Sequence, residues 1–277
     1  MEFSSCNMQL MYRKLIDAIL VKGTHVGNTI ELRNVMFTIP SIDNVIIPGR
    51  TDMAYAVGEL CWYFDGDREL SFIQKFSKFW TKISDDGRTC NSAYGYILKE
   101  REGFDQIEKI IDLLKHDKYT RRAVLNINKA NVDVITTKDE QCTIAIQFLI
   151  RNNELHTTVF MRSNDVIRGL PYDVLYFTTL AKYIAMRCNI NYGTYTHIVT
   201  SLHVYIQDLN IINTLSALPL ITKPKYNINV YNLVNNFRWI CAYVRITKYD
   251  INSELQCKRF KVDVVNLAKQ FNIIEEC

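Results

Sequence analysis

The chain has 277 residues, 48% hydrophobic and 22% charged, so it can bury a sizeable core and is not a wholly disordered polymer. Its net charge of +4 admits anionic ligands but lacks the clustered Lys and Arg of a nucleic-acid footprint, so no nucleic-acid partner is expected. The nearest cysteines, Cys241 and Cys257, stand 16 residues apart, which excludes zinc-type and CxxC redox pairs and leaves no metal site to expect.

No repeat, low-complexity tract or Pro/Gly-rich linker divides residues 1–277, which read as a single domain. The opening MEFSSCNMQLMYRK lacks a basic segment followed by an apolar one, and no apolar run approaches the ~20 residues that span a bilayer. The expectation is a soluble cytoplasmic protein with reduced thiols and no membrane partner. In chain order, residues 29–39 alternate as a strand. Residues 51–64 (TDMAYAVGELCWYF) are apolar on nearly every side, which predicts a buried helix, and Glu59 inside it needs a partner or a task. Ile107, Ile110, Ile111 and Leu114 recur at helical spacing over 105–115. HDKYTRR then reads as a polar turn and AVLNIN as a strand. Residues 143–151 put Ile144, Ile146, Phe148 and Ile150 on one face of a strand, and NNEL turns the chain into HTTVFMR as a hairpin partner. Helices are expected over 173–188 and 198–210, and strands around 227–233 and 241–249. The pattern is α+β, with hairpin neighbours rather than regular βαβ units.

MRSND (161–165) ends a strand with a cation, a hydroxyl, an amide and a carboxylate, and GLPYD (169–173) turns into a helix. Arg162 beside such a turn suits phosphate, which its planar fork can hold bidentately. Arg121 and Arg122 form a second cationic pair. Taken singly, these arginines could equally be solvated surface cations. Cys142 opens an apolar strand after the acidic turn TTKDEQ, and a nearby arginine would lower its pKa and raise its thiolate fraction. Taken alone it could equally be a small core residue.

The segments GELCWYFDGD (58–67), NSAYG (91–95), TRRAVLNI (120–127), CTIAIQF (142–148), MRSNDVIRGLPYD (161–173) and SLHVY (201–205) together resemble the thymidylate synthase family, in its order and near its spacing. The resemblance implies a layered α+β fold whose mixed sheet forms the interface of an obligate homodimer. It implies a pyrimidine deoxynucleotide monophosphate as substrate and 5,10-methylene-tetrahydrofolate as co-substrate. Cys142 would attack carbon 6 of the pyrimidine, Glu59 would order water and move protons, and Tyr94 would assist proton removal from carbon 5. Arg162 and Ser163 would hold the 5′-phosphate, with Arg121 and Arg122 reaching across from the other subunit. Lys22, in VKGT, would stand for a further phosphate-binding cation, or else is a plain surface lysine. His203 and Tyr205 would hold the 3′-hydroxyl. Trp80, Asp165 and Gly169 match folate-contacting positions, and Asp165 also borders the substrate.

The departures from the family pattern narrow the reading. The family has His after its nucleophile where this chain has Thr143, and reads uracil with Asn where this chain has Asp173. The deoxycytidylate hydroxymethylases of phages resemble it in both changes. A carboxylate can accept from the cytosine amino group and share a proton with the ring nitrogen, whereas facing uracil it meets a carbonyl oxygen with no donor between them. The expected reaction is therefore conversion of dCMP to its 5-hydroxymethyl form. Alternatives are dTMP synthesis, dUMP hydroxymethylation, or a nucleotide- or RNA-binding relative that has lost turnover. Asp173 could also serve as a helix N-cap, Glu59 as a buried ion-pair partner and His203 as a core histidine. Arg168 replaces an apolar residue near the expected folate position, and VVNLAKQFNIIEEC (264–277) does not resemble the family's closing tail. Water must enter for hydroxymethyl transfer, so a missing lid is tolerable.

Overall fold

Side-chain caps from Asn7, Asp52, Asp105, Asn229 and Ser253 mark where the longer helices at 8–22, 53–65, 106–116, 230–246 and 254–270 begin. The computed structural model describes residues 1–5, 7–40, 42–43, 45–130, 134–217 and 225–276; Cys6 and Cys277 lie outside this set. β1 (Glu2–Ser4) and α1 (Met8–Lys22) lead into β2 (Thr24–Val26) and β3 (Thr29–Ile39). Then come α2 (Met53–Asp65), the short α3 (Leu70–Ile73), α4 (Phe79–Ile83) and α5 (Tyr94–Lys99), and α6 (Gln106–His116). The middle of the chain forms β4 (Val124–Asn126), β5 (Thr143–Arg151), β6 (Glu154–Asp165), α7 (Leu170–Cys188) and β7 (Asn191–Tyr205). After these come α8 (Leu209–Ala217), β8 (Tyr226–Ile228), α9 (Val230–Ile246), α10 (Glu254–Gln270) and β9 (Ile274–Glu276).

Asp52 caps α2 by accepting from the amides of Ala54 and Tyr55, and Gly66 ends the helix in the left-handed region at φ 76°. The β5–β6 hairpin turns on Asn152 and Asn153, both at positive φ, between the paired Arg151 and Glu154. That is the two-residue turn whose twist matches flanking strands, and Asn tolerates it better than other side chains. The strand order is β1-β3-β7-β6-β5-β4, with β2 on β3. β7 runs antiparallel to β3 but parallel to β6, to which α7 joins it as a crossover. Along β5, β6 and β7 alternate residues such as Phe148, Val159 and Val199 are buried against the helices. Thr158, Phe160, Thr196 and Ile198, on the other face, stay partly exposed. One hydrophobic cluster reaches from Met8 to Ile274. Among the described residues no helix is long and apolar enough to cross a membrane.

Two expectations fail for identifiable reasons. Residues 198–205 belong to strand β7 rather than a helix, because burial there alternates residue by residue and the segment is rich in β-branched side chains. Of the strands expected around 227–233 and 241–249, only Tyr226–Ile228 forms; Val230–Ile246 is helical. Asn229 caps that helix, and Val230, Leu233, Ile240, Cys241 and Val244 recur at helical spacing on its buried side. Tertiary burial outweighs the local β-propensity of Val, Tyr and Ile. Helix α7 also starts earlier than expected, at Leu170.

Gly95 allows α5 to lie directly on α2, since a Cβ there would sit 2.1 Å from the carbonyl oxygen of Tyr63. Gly95→Ala is expected to cost about 3 kcal/mol of unfolding free energy, an overpacking cost that neighbouring backbone cannot relieve, measured by urea denaturation.

Candidate active site

Five elements converge on one cavity of about 1060 Å³. Helix α2 supplies Glu59, α5 Tyr94, the end of β6 Arg162 to Asp165, α7 Asp173, and the end of β7 His203 and Tyr205; Cys142 stands just before β5. Parallel pairing explains much of this. Ser163 lies opposite Ser201 and Asp165 opposite His203, so the two motifs end side by side at one rim of the sheet. Ser163 Oγ and His203 Nδ1 are 3.3 Å apart. Trp80, Ser163 and Gly169 also line the cavity.

Glu59 is buried, and its partner is not a cation. Tyr55, one turn earlier, donates to Glu59 Oε1 at 2.6 Å, and Trp80 Nε1 donates to the Tyr55 hydroxyl at 3.0 Å. Burial raises the Glu59 pKa to about 7, against hydrogen bonds from Tyr55 and Tyr63 that lower it. A carboxyl so placed can give or take a proton near neutrality. Asp173 is half-buried and faces the same cavity. Desolvation, then the charge of Glu59, raises its pKa well above the usual carboxylate range, partly offset by the amide of Asn164. Asp173 is no N-cap: it lies inside the first turn of α7, its amide donating to Gly169 O at 2.9 Å.

Cys142 corrects the expectation of a lowered thiol pKa. Burial raises it to about 11; Arg162 works in the other direction, while Asp173, Asp139 and Asp165 raise it further. The Arg162 guanidinium is exposed and spends two donors on the carbonyls of Gln141 and Glu140, at 2.9 and 2.7 Å. It therefore braces the loop before Cys142 as well as presenting charge at the rim. Thr143, where the family pattern has His, is fully buried and donates to the Tyr94 hydroxyl at 3.0 Å.

Asp165 Oδ1 accepts from the amides of Ile167 and Arg168, while Oδ2 is buried and has no hydrogen-bond partner. Arg168 also lines the cavity: it reaches Asp208 Oδ2 at 2.6 Å, lies over the Tyr205 ring and holds its Nε 4.0 Å from Asp165 Oδ2. Three expected residues do not line this cavity. Arg121 and Arg122 are exposed ahead of β4, and Lys22 is exposed at the last turn of α1. Lys22 is helical rather than part of a phosphate loop, which is why it does not come inward.

Sequence reasoning missed Tyr55, legible from its four-residue helical spacing to Glu59. It missed Lys261, which α10 brings to the cavity rim at 2.7 Å from Asp52; nothing local announces so distant a contact. It also missed Asp139, buried below Cys142 and holding the amide of Ser92 at 3.1 Å.

Comparison with known proteins agrees with this geometry. The sequence profile described as thymidylate synthase matches residues 11–260, and the chain belongs to the thymidylate synthase family. It is 29% identical over 226 residues to the deoxyuridylate hydroxymethyltransferase of Bacillus phage SP01, covering 74% of this chain and 59% of that one. It is 31% identical over 163 residues to the deoxyuridylate hydroxymethyltransferase of Pseudomonas phage M6, covering 58% and 46%. With the thymidylate synthase of Haloferax volcanii it shares 27% over 173 residues, covering 54% and 50%. The chain spans about half the length of the curated relatives it matches.

At pH 8 the ligand-free Cys142 should hold about 100-fold less thiolate than an ordinary thiol, two pH units' worth. Iodoacetamide labelling followed by peptide mass should show a matching drop in rate, and Arg162→Met should slow it further. A rate equal to that of free cysteine would contradict the desolvated thiol.

Proposed function

We propose that this chain is a homodimeric deoxycytidylate 5-hydroxymethyltransferase, converting dCMP to 5-hydroxymethyl-dCMP with 5,10-methylene-tetrahydrofolate and water. The observation that carries this reading is Asp173, enclosed with Cys142 and Glu59 and held well above the usual carboxylate range. Its acid form offers cytosine one donor, for the ring nitrogen N3, and one acceptor, for the amino group. This alters the reason for preferring cytosine. A charged carboxylate would repel uracil, but a carboxylic acid presents a donor and an acceptor much as an amide does. Discrimination then rests on basicity: the cytosine ring nitrogen binds the acid's proton far more strongly than a uracil carbonyl oxygen can.

As the Cys142 thiol gives its proton to water and Sγ bonds to carbon 6, electron density moves through carbon 5 toward N3, where the Asp173 proton compensates it. Tyr94, hydrogen-bonded to Thr143, stands ready for the carbon 5 proton, and Glu59, titrating near neutrality, can activate water. Arg162 and Ser163 would take the phosphate, and His203 and Tyr205 the sugar. The folate supplies the one-carbon unit when bound. The residues present fit it: an aromatic wall of Trp80, Tyr55 and Tyr172, the acceptor Asp165 Oδ2, which has no hydrogen-bond donor, and the cations Arg50 and Lys261. β9 pairs with β8, and none of the described residues after Lys261 lines the cavity, which suits a reaction that admits water.

Homodimerisation is supported by the partly exposed apolar and Thr-bearing outer sheet face and by the position of Arg121 and Arg122 away from their own chain's cavity. Hydroxymethylation of dUMP is the second reading, favoured by the names of the two phage relatives.

Tritium release from carbon 5 of dCMP and of dUMP separates these readings. Wild type should release from dCMP without forming dihydrofolate, and Asp173→Asn should shift preference toward dUMP by about 10-fold or more. Release from dUMP alone overturns the cytosine reading. Mixing Cys142→Ser with an Arg121→Ala/Arg122→Ala double variant, each inactive, should restore about a quarter of wild-type activity, since half of random dimers then hold one complete site. No recovery would place the arginines in their own subunit's site or outside catalysis.

A further inference from the structure

One buried carboxyl group that lines the cavity has no part in the reaction above. Asp139 stands shortly before Cys142, is 4% exposed, and forms no ion pair with a cation among the described residues. Its partners are donors from one short segment ahead of α5. The Ser92 amide donates to Asp139 Oδ2 at 3.1 Å, the Ser92 hydroxyl donates to Oδ1, and the Asn91 amide donates to the same carboxyl. Gln141 grips this segment too, its Nε2 donating to the Asn91 carbonyl at 2.8 Å. From another side Arg162 holds the carbonyls of Glu140 and Gln141. Past Cys142, Thr143 donates to the Tyr94 hydroxyl at 3.0 Å. Tyr94 is therefore fastened near its root, through Asn91 and Ser92, and at its tip, through Thr143. Both fastenings lead to the stretch of chain that carries Cys142.

A carboxyl group suits this junction. Three donors converge on it, and a carboxylate offers two acceptor oxygens with lone pairs for all of them. An amide of the same shape offers one oxygen and turns N–H donors on the rest. The start of α5 has no cap of its own, since Ala93 stands at the N-cap and offers no side-chain hydrogen bond. We propose that Asp139 is a positioning residue for the one-carbon transfer, locking the Asn91–Ser92 turn so that the Tyr94 hydroxyl keeps its place in the cavity with Cys142. This rests on the reading of Cys142 as nucleophile and of Tyr94 as the group that handles the carbon 5 proton. Asp139 itself touches no reacting atom. Its charge has a second effect, because it opposes thiolate formation. Asp165 from β6 and Asp173 from α7 oppose it as well, Arg162 from β6 favours it, and Tyr94 from α5 is the further titratable group against the thiol. Asp85 and Cys90 are the ionisable groups that face Asp139 from its own surroundings. The junction thus gives up thiolate in exchange for fixed geometry.

Asp139→Asn and Ser92→Ala separate the two effects. Turnover is followed by tritium release from carbon 5, on whichever of dCMP and dUMP the wild type accepts. In Asp139→Asn kcat should fall about 10-fold or more, while KM for the nucleotide stays within about threefold of wild type. Ser92→Ala keeps the charge and should lose less of kcat, again with KM held. The double variant should be no slower than Asp139→Asn, because both changes break one contact. Iodoacetamide labelling of Cys142 in ligand-free protein supplies a readout that a general loosening would not split between the variants. At pH 8 Asp139→Asn should label about threefold faster than wild type, since loss of the opposing charge lowers the thiol pKa by about half a unit. Ser92→Ala should label at the wild-type rate. A kcat for Asp139→Asn within about twofold of wild type overturns the proposal, and so does a double variant in which the two losses add. Should Asp139→Asn not fold, an unchanged kcat in Ser92→Ala, which loses a single hydroxyl, overturns it. A preference for dUMP counts against the cytosine reading and not against Asp139, because the variants are compared on the accepted base.

Discussion

Two carboxyl groups share one poorly solvated cavity, and the cost of ionising both shapes everything around them. Burial opposes charge on both Glu59 and Asp173, and the charge of Glu59 opposes it further on Asp173. Among the described residues no cation forms an ion pair with either. The site instead surrounds them with neutral donors and rings: Tyr55, Tyr63 and Trp80 around Glu59, Asn164 beside Asp173. Cations are kept at the rim, where Arg162, Arg50 and Lys261 can meet anionic ends of a ligand without neutralising the interior. Such an arrangement gives protons, rather than ion pairs, to whatever flat ring enters. The same desolvation keeps Cys142 a thiol in the ligand-free protein, which limits its exposure to alkylating or oxidising agents.

Local patterns made part of this legible. The helix around Glu59, the strand at 29–39 and the β5–β6 hairpin follow from periodicity and turn residues, because each is a short-range property. The strand after Cys142 follows too, except that a bulge between Thr143 and Ala145 leaves Ile144 exposed instead of on the face of Ile146, Phe148 and Ile150. Two elements were not. β7 and α9 are both rich in Val, Ile, Tyr and Asn, and only the surfaces they meet decide that one alternates and the other winds. The candidate site was readable where a motif carries its own chemistry, as with Arg162 and Asp173. It was unreadable where the chemistry depends on depth. Arginine proximity suggested an acidic thiol, but sequence carries no measure of desolvation, and desolvation prevails. Ser92 and Asp139 belong to segments singled out for other residues; 47 residues separate them, and only the finished fold brings them together.

The substitution of Thr143 for the family's His fits the same economy of charge. A histidine beside Cys142 could bring a positive charge into the cavity, whereas a fully buried threonine brings one donor and uses it on Tyr94. Asp173 and Thr143 thus change together in a consistent direction, each placing a proton in the site without a net cation.

The parallel junction of β6 and β7 has a consequence for how the molecule comes to exist. Hairpin β5–β6 can close locally, but β7 reaches β6 only after α7 has folded across the sheet, and β3 must return from more than 150 residues upstream, as the pairing of Glu31 with His203 requires. Contacts of such separation are slow to form, because loop-closure entropy is lost before they contribute. The candidate motifs MRSND and SLHVY sit on those late-forming strands. A ligand of the cavity would therefore meet only the finished sheet, and by binding it would slow its opening.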